Sequence, residues 1–101
     1  MSHREYLCHM MEEIDFVLLQ MESVSEEVFS CDPVLKRAVV RSLEIIGEAA
    51  AKMPYAFRVE HPQIEWRKII ALRNKLIHEY FGVDYSIVWD VATNILPDLK
   101  K

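Results

Sequence analysis

Glycine occurs twice, proline four times and cysteine twice in a chain of 101 residues. So few chain-breaking residues, with half of the chain hydrophobic, suit a compact all-α protein and argue against disorder. Cys8 and Cys31 form no Cys-x-x-Cys pair and have no zinc-like spacing. A disulfide between them is one reading; two unpaired, buried thiols in a reducing cytoplasm are the favoured one. No apolar run approaches the roughly 20 residues that a membrane-spanning helix needs. The opening MSHREYLCHM lacks the uninterrupted apolar stretch of a secretion signal. The expectation is one soluble cytoplasmic domain over residues 1–101, with no membrane contact.

Positive charge is scarce overall, with a net charge of −4, but its distribution is uneven. Residues 1–32 hold one Arg against eight Asp and Glu, a net of −7; residues 33–83 hold nine Lys and Arg against five acids, a net of +4. A polyanion would therefore meet the middle of the chain. On charge alone, attraction between the two regions, or to a partner, explains the pattern equally well.

Apolar residues at 7, 10/11, 14, 17/18, 21, 24 and 28 recur every three to four positions, which predicts one amphipathic helix over about 3–30. Asp32 is placed to cap the next helix, with Pro33 in its first turn. That helix runs to about Met53, burying Leu35, Val39, Leu43, Ile46, Ala50 and Met53 and offering small residues at Gly47 and Ala49–Ala51 for close approach by a neighbour. Pro54 stops it, and 54–62 is a connection with room for one helical turn. Pro62 is expected to open a third helix burying Trp66, Ile69/Ile70, Leu76/Ile77 and Tyr80/Phe81, with Gly82 as its C-cap residue. Asp84 caps a fourth, burying Tyr85, Val88, Trp89, Ala92 and Ile95/Leu96. Short links between four such helices give an up-and-down antiparallel bundle.

The stretch RNKLIHEYFGV, 73–83, crowds hydrogen-bonding side chains beside core positions. At about 100° per residue, Arg73 and Tyr80 share one helical face, whereas His78 lies about 140° away from Arg73. One regular helix does not bring Arg73 and His78 together. A tightened last turn would, and so would a second copy related by a two-fold axis. The residue types suit a phosphodiester. Histidine exchanges protons near neutrality, and arginine holds two phosphate oxygens and offsets developing charge. In RNA the adjacent 2′-hydroxyl supplies the nucleophile, so no metal or other cofactor is required. The plainer reading makes the same residues a salt bridge and caps, with Asn74 either a surface residue or an orienting neighbour of the phosphate. His61 and Glu65, four apart, are two ligands and no metal site. His3 and His9 lie in the acidic first helix.

Arg73-Asn74-Lys75-Leu76-Ile77-His78-Glu79-Tyr80 resembles the Arg-x4-His-x-Tyr motif of the HEPN superfamily, in particular its small HepT-like toxins. The likeness extends through RSLEIIGEAAAKMP (41–54) and the run from Trp66 to Trp89. It implies a metal-independent ribonuclease that forms a homodimer or a higher even oligomer, the toxin of a prokaryotic toxin–antitoxin pair. By the same resemblance Arg73 and His78 are catalytic, Asn74 supports the cleft, and Tyr80 receives AMP from an MntA-like minimal nucleotidyltransferase that silences the toxin. The competing implication is a non-catalytic HEPN module that binds nucleotide or docks the transferase, for which an acidic first helix is suited.

Overall fold

The computed structural model describes residues 2–99, with the side chain of Tyr80 outside the described part. Ser2 opens helix α1, His3–Met21, with a reciprocal cap. Its hydroxyl accepts from the Glu5 N–H at 3.3 Å, and the Glu5 carboxylate accepts from the Ser2 N–H at 3.5 Å. Met10, Ile14, Val17 and Met21 form its buried stripe. Cys8 lies across the helix from that stripe and is exposed, as is Cys31; both thiols are free. The expected burial of the cysteines is thus corrected, while their lack of pairing holds.

The single helix expected over 3–30 is two. Ser23 adopts a left-handed φ of 60°, and Ser25 then caps α2, Glu26–Cys31, by accepting from the Val28 N–H at 3.1 Å. Ser25 followed by Glu26 and Glu27 is a better helix start than a helix interior, since a hydroxyl and two acids suit the free N–H groups there. The restart changes the phase of the buried face. Val28 is largely exposed, and Phe29 is fully buried beside Trp89, ring centroids 5.7 Å apart.

Asp32 caps α3, Pro33–Lys52, by accepting from the N–H groups of Val34 and Leu35 at 3.1 and 3.0 Å, as expected. A six-residue helix, α4 (Tyr55–Glu60), fills the connection. The Arg58 guanidinium donates to the Ala51 carbonyl at 2.8 Å and ties α4 to the end of α3. Pro62 does not open the next helix. It sits in a turn closed by hydrogen bonds from Ile64 N–H to His61 and from Trp66 N–H to Ile64, and α5 spans Trp66–His78. The Trp66 indole N–H donates to the His61 carbonyl at 3.1 Å and fixes where α5 begins.

A 3₁₀ turn, Tyr80–Gly82, follows α5. Glu79 is the C-cap of α5, and Gly82 has no left-handed φ, so its expected capping role is not realised. Phe81 lies beyond the end of α5 and is exposed; Ile77, still within the regular helix, is exposed as well. Asp84 caps α6, Tyr85–Asp90, as expected. The Ser86 hydroxyl and N–H donate to its carboxylate, and these bonds hold the Asp84 carboxyl below its ordinary pKa. The helix widens through a π segment, Val91–Ile95, before α7, Leu96–Leu99. Pro97 has no N–H for the carbonyl four residues back and crowds it, so a widened turn just upstream relieves both.

Among the described residues the chain is all-helical. Helix α3 is central, with α1 and α5 packed along it, while α6 and α7 close the bundle against α2 and α1. This is the expected helical bundle, with the break between α1 and α2 and the short α4 added. No helix of the described residues is long and apolar enough to cross a membrane.

Candidate functional site

Arg73 reaches its position because Gly47 lets it. A Cβ placed on Gly47 would lie 2.8 Å from Arg73 Cγ, closer still to Arg73 Cβ, and 3.2 Å from the Ile69 carbonyl oxygen. The arginine stem therefore crosses α3 in the gap of a missing side chain. Its side chain is 20% exposed, and Nη1 meets Glu48 Oε2 at 3.3 Å. Nε is buried with no hydrogen-bond partner. Stem and Nε are thus enclosed, and the outer guanidinium nitrogens are the groups left to act. A half-exposed carboxylate holds one of them.

His78 is the last residue of α5 and is exposed. The helix is regular up to that point, since the Glu79 N–H donates to the Lys75 carbonyl at 2.8 Å. Tightening begins only at Tyr80, too late to rotate His78 towards Arg73. Among the described residues no hydrogen bond or ion pair joins Arg73 to His78. Asn74 is exposed on α5. Tyr80 lies beyond the helix, in the 3₁₀ turn, and its side chain, on which the face predicted to be shared with Arg73 depends, falls outside the described part of the structure.

Gly47 was legible as a close-approach residue, but not as the seat of this arginine. Nothing in the sequence marks Glu48. An acid beside a mid-helix glycine is a weak cue unless the neighbouring helix's register is known. Glu48 also borders a groove of about 410 Å³ between α1 and α5, which Tyr6, His9 and Ile77 wall. Among the described residues no cluster of three or more His, Cys, Asp or Glu is placed to hold a metal ion.

Residues 6–101 match the family model described as Ribonuclease HepT-like. A relative from Caldanaerobacter subterraneus subsp. tengcongensis, provisionally named an RNase, is 48% identical over 97% of this chain and 88% of its own. One from Thermococcus cleftensis, named "Probable ribonuclease HepT", is 41% identical over 98% of this chain and 90% of its own. In Methanocaldococcus jannaschii, a relative named for both a gamma-glutamylcyclotransferase and an RNase is 36% identical over 95% of this chain and 43% of its own. No solved structure matches.

Proposed function

The chain belongs to the HepT-like ribonuclease family, and on that premise we propose that it is an endoribonuclease toxin acting without a metal. The observation that carries this reading is the seating of Arg73 over Gly47, with its guanidinium directed to the surface and His78 exposed at the end of the same helix. His78 takes the proton of a ribose 2′-hydroxyl, and the freed oxygen attacks the adjacent phosphorus. Arg73 offsets the charge that accumulates on the non-bridging oxygens. The bond to O5′ breaks, and that oxygen leaves with a proton from a protonated imidazole. One fragment ends in a 2′,3′-cyclic phosphate and the other in a 5′-hydroxyl. Purified protein in EDTA is expected to cut single-stranded RNA and leave cyclic phosphate ends, read by end-specific labelling. Cutting that appears only with added Mg²⁺ would rule the mechanism out.

The cleft is completed by a second copy of the chain, because the geometry of α5 separates Arg73 and His78 within one copy. The same reading makes Tyr80 the off switch, modified by a nucleotidyltransferase antitoxin. Transfer of AMP from ATP to the phenol oxygen releases pyrophosphate and places a phosphodiester charge two residues past His78, where it repels incoming RNA. Docking of the transferase is supported by the outer face of α1 and α2. Phe16 and Leu19 on α1 and Val28 on α2 are exposed, and these helices and the turn between them also expose Glu12, Glu22, Glu26 and Glu27, which suits a partner that offers both apolar and basic groups. Incubation with the transferase encoded beside this chain, ATP and Mg²⁺ should add AMP-sized mass increments that map to Tyr80 and stop RNA cleavage. Silencing by AMP transfer that persists in a Tyr80→Phe variant would remove Tyr80 from this role.

A further inference from the structure

We propose that the groove between α1 and α5 is a base subsite selective for guanine, seating the base of a nucleotide whose phosphate Arg73 holds. The proposal rests on the ribonuclease reading only for the identity of that phosphate. Tyr6 and His9 on α1 form one wall, Ile77 on α5 the other, and α3 supplies the floor with Arg41, Glu44 and Glu48. At about 410 Å³ the groove falls within the range of small-molecule sites. It joins the candidate catalytic group directly, since Glu48 both borders it and pairs with Arg73 Nη1 at 3.3 Å.

The polar groups of the floor decide which base fits. Arg41 Nη1 stands 3.5 Å from Glu44 Oε1, a loose pair in which the arginine side chain is 72% exposed and the glutamate side chain only 19%. A weakly held, solvated guanidinium is free to exchange partners, and the mostly enclosed glutamate side chain keeps its carboxylate beside the groove. Guanine alone among the four bases presents both an adjacent pair of acceptors, O6 and N7, and an adjacent pair of donors, N1–H and the N2 amine. The first pair matches an arginine fork and the second a carboxylate. Cytosine and adenine each offer a carboxylate one donor group, the exocyclic amine, and uracil flanks its single N–H with two acceptors. The walls complete the fit, because unpaired bases of single-stranded RNA are held by stacking on aromatic side chains together with contacts to their hydrogen-bonding edges.

The test is a titration of the intact, isotope-labelled protein with each of the four 5′-mononucleotides, followed by amide chemical shifts. GMP is expected to bind about tenfold to a hundredfold more tightly than UMP, the span that one bidentate base contact gives. Its shifts should concentrate at residues 6–9, 41–49 and 77. Glu44→Gln, which keeps the side-chain shape, and Arg41→Ala should each erase the preference for GMP. Equal affinity for all four nucleotides, or GMP shifts confined to other surfaces, overturns the subsite. The two readings fail separately. Selective GMP binding in the groove by a protein that cuts no RNA upholds the subsite and sinks the ribonuclease. RNA cutting without guanine selectivity does the reverse.

Discussion

An Arg73→Ala subunit mixed with a His78→Ala subunit is expected to cut RNA that neither variant cuts alone. Each variant by itself should lose on the order of 10²–10³ in rate, the usual cost of removing one charge-stabilising or proton-transferring group. Helicity and thermal unfolding should change little for His78→Ala, because that side chain is exposed. The recovery follows from the geometry of α5. The helix is regular through His78, and the turn that could have drawn His78 towards Arg73 begins after it. Within one copy the two groups face different ways. A two-fold axis beside α5 would present the histidine of one copy to the arginine of the other. Random exchange makes half of the dimers mixed, and each of those has one complete cleft, so the mixture should reach about a quarter of the unsubstituted rate. Sedimentation that finds only monomer at full activity, or a mixture no better than its parts, would exclude a cleft shared in this way.

Helix faces were readable from the sequence where one helix ran without interruption. Val39, Leu43, Ile46, Ala50 and Met53 on α3, and Trp66, Ile69 and Leu76 on α5, are buried where the spacing placed them. The reading failed where a helix stopped. Periodicity carries on across a break when both sides are apolar, so residues 22–25 passed as helix interior, although Ser25-Glu26-Glu27 carries the signature of a fresh start. The same error at the end of α5 put Phe81 in the core. A helix end is decided by local hydrogen bonds that compete within a small energy margin, and one residue's change of phase then turns a whole face. Pro62 misled for a related reason, since proline suits a first helical turn and a tight turn equally well.

The candidate site was legible as residue types and illegible as contacts. Arg73, His78 and Tyr80 stand out by residue type, while the roles given to Asn74 and Tyr80 rest on the resemblance to the family. What holds Arg73 depends on how α3 and α5 cross, and a crossing is set by both helices together. Gly47 and Glu48 acquire their meaning from Arg73, twenty-six and twenty-five positions further along the chain. The groove has the same origin. Tyr6, Glu44 and Ile77 lie on three different helices and converge only when α1 and α5 flank α3.

Gly47→Ala is expected to damage activity far more than stability, and the two effects can be set against each other. Alanine is favoured over glycine inside a helix by about 0.8–1.0 kcal/mol. Against that gain, the new methyl meets the stem of Arg73, with Cγ at 2.8 Å, and the Ile69 carbonyl oxygen at 3.2 Å. The stem of an arginine rooted in the facing helix cannot swing aside at its first carbon, so α5 must move away from α3. Forcing an extra methyl into such a contact costs about 1–3 kcal/mol. The net loss is then roughly 0–2 kcal/mol, a fall in melting temperature of no more than about 16 °C for a chain of this size. Activity has no such offset. Displacing the guanidinium by about 1 Å is enough to lose on the order of a hundredfold in rate. Gly82→Ala is the matched control for stability, since a Cβ there meets nothing within 4 Å. Thermal scans of both variants beside an RNA cleavage assay decide the matter. A Gly47→Ala protein that cuts RNA at the unsubstituted rate would mean that the guanidinium does not need this crossing to be in place.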